Sequence, residues 1–412
     1  MRTLVQINSC ANWGSTGRIA SQINDLAKEH VCDPYIVYGR YSNPCASALV
    51  RVGSRFSQAI ALLEARLFDN DGLASRMATR KLIKKLKAIG PDLIHLHNLH
   101  GYYINYPLLF RYLKDAAIPV VWTLHDCWSF TGHCSHYAPA ACEKWRSGCA
   151  ECPLKSDYPK SVLLDCSRRN YARKKASFCH AGPMTIVGVS DWLTKDVSHS
   201  FLEGIPARTI HNGVDLSLFR VLPRSEFATV RERYGLAGRF MILAVASAWS
   251  SRKGLDDYRS LADRLEKDCV LVLVGVDDAT ADKLPSSIVK IKRTDSIEEL
   301  VRLYNAADVV TSLSEAESFG LSVVEGFACG TPGIVYANTA QPELITPQTG
   351  YVVDNHDISQ VVRAIDDMKG KGKAFYSENC RKRAEDHFDK NKRYMDYIAL
   401  YESLYQSKKQ SV

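Results

Sequence analysis

The sequence predicts an α/β protein of two domains, each built on a parallel β-sheet covered by helices. Its 412 residues suit two domains, since single domains usually have roughly 100–200 residues. Short β-branched runs alternate with stretches whose apolar residues recur at helical spacing, which is typical of repeated strand–helix–strand units. The strand-like runs are almost continuously apolar, as expected for strands buried on both faces of a sheet.

The first domain is predicted over residues 1–205. Its expected strands are Leu4–Asn8, Tyr35–Tyr38, Leu93–His97, Val120–Leu124 and Thr185–Val189. Its expected helices are Thr16–His30, Ser54–Phe68 and Ser75–Ile89. Residues 127–180 break the alternation, because they are rich in Cys, Gly, Pro and basic residues and have little strand character. We interpret them as an insertion in this domain.

The second domain is predicted over residues 206–385, entered through the charged, turn-rich stretch 211–239. Its expected strands are Met241–Ala246, Val270–Val274, Val289–Lys292, Val309–Leu313 and Gly333–Tyr336, with a helix at Ile297–Ala306. Residues 386–412 have a helical pattern rich in Tyr. We expect this tail to pack back across a cleft between the two domains.

Composition excludes several classes of protein. Apolar residues make up 46% and charged residues 24% of the chain, which rules out a mainly disordered protein. No apolar run approaches the ~20 residues that a membrane-spanning helix needs. A net charge of +8 is modest for this length, and no nucleic-acid-binding motif is found, so we expect no nucleic-acid partner. The strand-like start without a signal leader predicts a cytoplasmic protein.

Ligands of open parallel sheets bind beyond the carboxyl ends of the strands, so the residues after each strand are the candidates. Gly14 and Gly17 follow the first strand and open a helix, whose free N–H groups suit an anion. His125 ends the fourth strand, where it can bind a substrate hydroxyl or act as acid or base; a structural histidine is the alternative. The adjacent Asp126 is a candidate to orient it, although adjacent residues of an extended chain point apart.

Basic residues follow the first strand of the second domain. Arg252 and Lys253 precede Gly254 there. An Arg fork and a Lys point charge beside a glycine suit a diphosphate, whereas a solvated basic loop is the alternative.

The most specific pattern has two glutamates in the sequence from Glu317 to Pro332. Glu317 falls on the loop after the strand Val309–Leu313, and Glu325 falls inside the following apolar helix. A carboxylate in such a place is costly unless it is paired, and a ribose diol is a suitable partner. Phe319, Gly320 and Leu321 lie at the start of this helix, where free N–H groups meet an anion or sugar hydroxyls.

With these motifs in this order, the chain resembles the retaining GT-B glycosyltransferases of family 4. The resemblance rests on Glu317 and Glu325, the Arg252–Gly254 loop, the segment His211–Asp215 and His125. It covers nearly the whole chain and is strongest for bacterial capsule, exopolysaccharide and O-antigen transferases. The sequence from His125 to Cys134 resembles a colanic-acid-type subgroup. The implied fold is GT-B, two facing Rossmann-like domains with a cleft between them.

The resemblance also implies roles for these residues. A nucleotide-sugar donor is held mainly by the second domain, with Arg252 and Lys253 on the diphosphate, so that fixed cations serve where a catalytic metal otherwise would. Glu317 contacts the donor sugar and Glu325 the ribose. Backbone N–H groups of Phe319, Gly320 and Leu321 contact the sugar or the phosphate. Gly14 approaches the diphosphate, and His125 binds a hydroxyl of the donor sugar. The segment Ile291–Thr294 lies near the base.

Four cysteines lie close together in the insertion: Cys134, Cys142, Cys149 and Cys152. The Cys149-x-x-Cys152 spacing is that of a zinc knuckle, and four thiolates suit a structural tetrahedral Zn²⁺. His133 and His136 are substitute ligands. Free thiols, a disulfide and an iron–sulfur cluster remain alternatives.

A basic helix offers a surface for anionic partners. Six basic residues and an apolar stripe occupy Ser75–Ile89, and Ser54–Phe68 is a second amphipathic stretch. A lipid diphosphate or the inner face of the plasma membrane would favour such a surface, although the stripe suits the inner side of an ordinary surface helix better. His95 and His97 follow strand alternation, so with His100 we interpret them as cleft-lining or core rather than metal ligands.

The sequence therefore favours a retaining glycosyltransferase that moves a hexose-type sugar from a UDP- or GDP-sugar to a saccharide or lipid-linked acceptor in bacterial surface polysaccharide biosynthesis. A nucleotide-sugar epimerase or hydrolase with the same fold is one alternative. A metal-binding scaffold protein, in which the cysteine-rich insertion is the functional part, is the other.

Overall fold

A computed structural model describes residues 2–410, with side chains through residue 406. The chain divides into two compact units. Unit 1 comprises Met1–Ile210 and Tyr394–Val412, and unit 2 comprises His211–Arg393. The expected boundaries at residues 205 and 385 thus fall a few residues before the two points where the chain passes from one unit to the other.

Unit 1 is built on a seven-stranded parallel sheet in the order β3-β2-β1-β4-β5-β6-β7. The strands are β1 (Arg2–Asn8), β2 (Cys32–Tyr38), β3 (Ala48–Arg51), β4 (Leu93–Leu96), β5 (Val120–Leu124), β6 (Met184–Gly188) and β7 (Ala207–Thr209). The helices are α1 (Gly14–His30), α2 (Arg55–Phe68), α3 (Arg76–Ile89), α4 (Tyr106–Ala116), α5 (Ser167–Phe178), α6 (Asp191–Ser198) and, at the end of the chain, α14 (Lys390–Gln410).

Helix α14 completes the core of unit 1 with a row of tyrosines. Tyr394, Tyr397, Tyr401 and Tyr405 are buried in one apolar cluster with residues of β1, α1 and β4. Their spacing of three or four residues puts all four on one helix face. The buried hydroxyl of Tyr401 lies 2.6 Å from Nδ1 of His95, so the polar tip of that ring also has a partner.

Unit 2 is built on a six-stranded parallel sheet in the order β10-β9-β8-β11-β12-β13. The strands are β8 (Phe240–Val245), β9 (Cys269–Val274), β10 (Val289–Ile291), β11 (Val309–Ser312), β12 (Gly333–Tyr336) and β13 (Gly350–Val353). The helices are α7 (Arg224–Arg233), α8 (Leu255–Ala262), α9 (Asp278–Ala281), α10 (Ile297–Ala306), α11 (Leu321–Ala328), α12 (Ile358–Lys371) and α13 (Lys373–His387).

The fold class predicted from the sequence is confirmed, and the strands that the sequence missed are edge strands. The ten expected strands all exist, with ends that differ by a few residues. The three additional strands, β3, β7 and β13, lie at the ends of the two sheets. They have three or four residues each and are partly exposed, so they lack the continuous apolar pattern of the central strands.

The insertion at residues 127–180 has little regular structure before α5. It contains two short 3₁₀ turns, Ala138–Ala140 and Lys144–Arg146. Trp145 is buried against the rings of Phe130 and Tyr137, which gives the segment a small aromatic core of its own. In the part of the chain that the structure describes, no helix combines the length and apolarity needed to cross a bilayer.

Candidate active site

The charged residues of unit 2 lie where its sheet reverses its order. Strands β8 and β11 are neighbours, while β9 lies outside one and β12 outside the other, so their carboxyl ends form a topological switch point. Gly254, in the loop after β8, has a φ of +74° and packs against the loop after β11. A Cβ atom at this position would lie 2.0 Å from the carbonyl oxygen of Leu313, so only glycine lets the two loops approach.

Arg252, Lys253 and Glu317 are brought together at this point. The Lys253 ammonium forms an ion pair with the Glu317 carboxylate. Nη1 of Arg252 donates to the carbonyl of Ala316 at 2.9 Å, and its own carbonyl accepts from the N–H of Glu315 at 2.9 Å. Three residues predicted from separate motifs thus form one cluster of two cations and a carboxylate.

The Glu317 carboxylate is held ionised. Burial alone would raise its pKa, but the charges of Lys253 and Arg252, with a hydrogen bond from Ser314, leave the pKa below its usual value. The main chain is also fixed, since the Glu317 N–H donates to Oγ1 of Thr339 at 2.9 Å. The site therefore presents a rigid negative charge beside two positive ones.

The N-terminus of helix α11 lies at the end of the loop that contains Glu317. Gly320 is its N-cap residue, Phe319 precedes it, and Leu321 is the first helical residue. No described side chain caps this end, so its first backbone N–H groups remain suited to an anion or sugar hydroxyls. Glu325 lies one turn into the helix, where it accepts a hydrogen bond from the Tyr304 hydroxyl at 2.7 Å.

The segment His211–Asp215, at the start of unit 2, contacts residues near the end of the same unit. Val214 pairs as a β-bridge with Asp389, and Nζ of Lys390 lies 2.6 Å from Oδ2 of Asp215. The His211 ring lies 3.7 Å from the Glu343 carboxylate. These contacts give the segment a packing role at the start of the unit.

Unit 1 has the same kind of switch point between β1 and β4, and a row of neutral side chains lies at these strand ends. Gly14 begins helix α1 shortly after β1. His125 follows β5, and its ring is buried. Nε2 of His125 lies 3.0 Å from Nδ1 of His97, and Nε2 of His97 lies 2.6 Å from Oε1 of Gln6.

This row of side chains determines the tautomer of His125. The amide nitrogen of Gln6 donates to the carbonyl of Ala20 at 3.1 Å, which leaves Oε1 of Gln6 as an acceptor. His97 must then carry its proton on Nε2 and accept on Nδ1, so His125 donates through Nε2. The remaining nitrogen of His125, Nδ1, is thereby an acceptor for a substrate hydroxyl rather than a donor.

Both histidines are neutral at neutral pH. Burial lowers the pKa of His125 to about 4, although the nearby Asp126 carboxylate opposes this. Burial also lowers the pKa of His97 well below its usual value, and the neighbouring His95 and His125 rings add to the effect. Protonation of either ring would bring positive charges together in a buried place.

The expectation that Asp126 orients His125 is wrong. Asp126 turns to His100, whose Nε2 lies 2.7 Å from Oδ2 of Asp126. Adjacent residues at a strand end point in opposite directions, so the partner of His125 comes instead from the neighbouring strand. The sequence contained this signal in the alternation of His95 and His97, which indicated one shared face.

The four cysteines of the insertion come near one another without forming a closed set. Cys134 and Cys152 contact each other, and Cys149 has Cys142 and Cys152 as neighbours. Among the described side chains, no three of these sulfur atoms lie within 4.8 Å of one another. The predicted zinc site therefore stays a prediction.

Comparison with known proteins identifies the chain's family. Residues 62–218 match the model of Glycosyltransferase Family 4, and residues 227–387 match the model of Glycosyl transferases group 1. The two matches span most of unit 1 and most of unit 2. The chain belongs to the GT-B glycosyltransferases.

Relatives of this glycosyltransferase agree with that assignment. It is 22% identical to the Putative colanic acid biosynthesis glycosyl transferase WcaC of Escherichia coli (strain K12), over 87% of this chain and 89% of the relative. It is 35% identical to D-inositol 3-phosphate glycosyltransferase of Mycobacterium sp. (strain KMS), over 40% of each chain.

Solved structures share the fold of this glycosyltransferase. Sucrose-phosphate synthase from Thermosynechococcus elongatus matches with a TM-score of 0.71 and 17% identity, over 99% of this chain and 100% of the other. HepE of Anabaena in complex with UDP-glucose matches with a TM-score of 0.66 and 15% identity, over 98% and 100%.

Proposed function

We propose that this glycosyltransferase moves a hexose-type sugar from a nucleotide-sugar donor to a saccharide acceptor with retention of the anomeric configuration. The observation that carries the proposal is the cluster of Arg252, Lys253 and Glu317 at the switch point of unit 2, beside the uncapped end of α11. Ligands of open parallel sheets bind at this point, and the cluster offers both cations and an anion.

The two cations suit the diphosphate of the donor. As the bond between sugar and phosphate breaks, negative charge grows on the departing nucleotide diphosphate. Arg252 and Lys253 are fixed by contacts to Ala316 and Glu317, so they can stabilise that charge without rearranging. We propose that the reaction needs no metal ion for this step.

The remaining residues would hold the donor's sugar and nucleoside. Glu317 is proposed to accept from hydroxyls of the donor sugar, and Glu325 from the ribose. Backbone N–H groups of Phe319, Gly320 and Leu321 are proposed to meet the sugar or the phosphate. From unit 1, Gly14 is proposed to approach the diphosphate, and Nδ1 of His125 to accept from a sugar hydroxyl.

The chemistry follows from these contacts. In the proposed front-face reaction the acceptor hydroxyl attacks the anomeric carbon on the side from which the phosphate departs. The bond from this carbon to the phosphate oxygen breaks, the new glycosidic bond forms, and the hydroxyl proton passes to the departing phosphate. No side-chain nucleophile takes part in this proposed step.

Helix α2 supports a lipid-linked acceptor at the inner face of the plasma membrane. Its large apolar residues Phe56, Ile60 and Leu63 lie on one face and are exposed, with 75% of Phe56 and 57% of Leu63 accessible. The opposite face buries only alanines. Helix α3 adds exposed basic residues, which would attract anionic lipid headgroups.

A donor panel tests the proposal. The full chain is incubated with UDP- and GDP-sugars and oligosaccharide acceptors, and nucleotide release and sugar products are measured. UDP-sugars come first, since HepE was solved with UDP-glucose. We expect acceptor-dependent nucleotide release that retains the anomeric configuration and is abolished in the double variant Lys253→Ala, Glu317→Ala. Conversion of donor without acceptor would show an epimerase or hydrolase, and full turnover by the double variant would refute the site.

A further inference from the structure

A second cluster of reactive side chains lies in the insertion of unit 1 and has no part in the proposed transfer. It consists of His133 with the thiols of Cys134, Cys149 and Cys152. The sequence indicated zinc through cysteine spacing, with His133 and His136 as substitute ligands. The structure shows that His133 has a buried nitrogen without a hydrogen-bond partner among the described residues.

His133 is buried, with 3% of its surface exposed, and only one of its nitrogens has a partner. Nδ1 lies 2.5 Å from Oδ1 of Asp69, the residue that follows α2. Nε2 is buried with no hydrogen-bond partner among the described residues. Leaving a buried polar atom unpaired is unfavourable, so such an atom usually has a hydrogen-bond partner or a bound ion.

Asp69 fixes which nitrogen of His133 is free. Its second oxygen, Oδ2, accepts from the N–H of Cys166 at 2.8 Å, so both oxygens of this side chain have a partner. The ring then donates to Asp69 through Nδ1 and keeps a lone pair on Nε2. A histidine held by a carboxylate in this way is the usual arrangement of a metal ligand, because the carboxylate sets the tautomer and makes the free nitrogen more basic.

Three thiols lie beside His133. Cys134 donates a hydrogen bond to the sulfur of Cys152. The N–H of Gly132 donates to Sγ of Cys149 at 3.1 Å. A Cβ atom at Gly132 would lie 2.6 Å from the Cβ of Cys149, so this close approach requires glycine.

A buried cation accompanies the cluster. Nζ of Lys174, on α5, donates to the carbonyls of Trp128 and Thr131 and lies over the Trp128 ring. Cys149 and Cys134 are among the groups whose charge acts on it. A fixed positive charge of this kind offsets the negative charge that three thiolates bring to a divalent metal.

We propose that His133, Cys134, Cys149 and Cys152 bind a structural Zn²⁺, with Asp69 orienting the histidine and Cys142 outside the set. Three sulfurs and one nitrogen form a closed tetrahedral set without a position for substrate, which is typical of structural zinc. Because no three of these four donors lie within 4.8 Å of one another in the described structure, metal binding must draw this irregular segment inward. The bound ion would then join the insertion to the end of α2.

Metal content of the full chain tests the proposal. The protein is expressed with zinc, purified without chelator and measured by mass spectrometry. We expect one zinc per chain, which is lost in His133→Ala and Cys149→Ser and retained in the matched control Cys142→Ser. Cobalt substitution provides a second readout, since its visible spectrum distinguishes three sulfurs and one nitrogen from four sulfurs.

Asp69 contacts the histidine rather than the proposed ion, so a variant at this position should fold. Asp69→Asn keeps the shape of the side chain but removes its charge, and we expect zinc affinity to fall roughly 10–100-fold in chelator competition. Wild-type protein without stoichiometric zinc would overturn the proposal. Loss of zinc in Cys142→Ser together with full retention in His133→Ala would replace it by the four-thiol site. A Cys134–Cys152 disulfide that persists after purification under reducing conditions, measured by counting the free thiols, would also overturn it.

Discussion

The two units have the same sheet architecture but different side chains at the corresponding strand ends. Each has a parallel sheet with a switch point, between β1 and β4 in unit 1 and between β8 and β11 in unit 2. Unit 2 fills the strand ends with an ion pair and a second cation. Unit 1 fills them with a row of neutral hydrogen-bonded side chains from Gln6 through His97 to His125.

This difference shows that the fold provides a location but not a chemistry. The sheet brings strand ends together, and the loop residues then determine whether the place attracts a diphosphate or a neutral hydroxyl. It also leads to different sensitivities. Removing a cation from the cluster in unit 2 should slow the reaction step in which charge develops on the departing diphosphate. Removing a histidine ring from the row in unit 1 should change how the substrate is positioned and how stability depends on pH.

The largest effect is expected from Lys253→Met. The substitution keeps much of the side-chain volume, removes the positive charge and leaves Glu317 with one cation fewer. Removing one preorganised charge of this kind typically lowers kcat by about 10²–10³. Initial rates at saturating donor provide the measurement.

The matched control for Lys253→Met is Arg259→Met, an exposed cation on α8 that pairs with Asp256 at 3.5 Å. We expect it to retain wild-type kcat. Equal losses in the two variants would mean that the Lys253 cation has no special part, and the contrast between the units would disappear.

The histidine row should make unit 1 sensitive to acid. Burial lowers the pKa of His97 and His125 in the folded chain, to about 4 for His125. The unfolded chain therefore binds protons near pH 6.5 while the folded chain does not. Their contribution to stability is complete above about pH 6.5 and is lost as pH falls toward the folded values, at up to about 1.4 kcal/mol per pH unit for each histidine.

Urea unfolding between pH 7 and pH 5 tests this contribution. His100 and His133 have raised pKa values and the opposite sign, so the test compares slopes between variants rather than absolute stability. We expect His97→Gln to flatten the fall in unfolding free energy toward low pH. His180→Gln, at an exposed position of the same unit, should leave the slope unchanged. An unaltered slope in His97→Gln would contradict the neutral row.

The smallest effect is expected at the proposed membrane face. Phe56→Ser and Leu63→Ser remove exposed apolar side chains from α2, so folding should change by no more than about 0.5 kcal/mol. We expect binding to vesicles of anionic lipid, measured by sedimentation, to fall a few-fold. Phe375→Ser, an equally exposed position of unit 2, should leave binding unchanged. Equal losses at both places would remove the preference for unit 1.

Most of the fold could be predicted from the sequence because its central strands are buried on both faces. Their residues must be apolar throughout, so the pattern β8 shows in Phe240–Val245 is visible without any structure. Edge strands such as β3 have one neighbour and are partly exposed, and their residues are free to vary. The motifs after the strands were readable only jointly. Arg252 and Lys253 by themselves suit a solvated basic loop, and it was their order with the pattern from Glu317 to Pro332 that indicated a site.

What the tertiary structure alone decided is which distant side chains meet. The sequence determined that Arg252, Lys253 and Glu317 follow strands, and the order of β8 and β11 in the sheet then joined Lys253 to Glu317. Only the tertiary structure brought His97 to His125 and Asp69 to His133. Local patterns report the neighbours of a residue along its own strand or helix. Contacts between elements depend on the packing of the whole unit, which no short stretch of sequence contains.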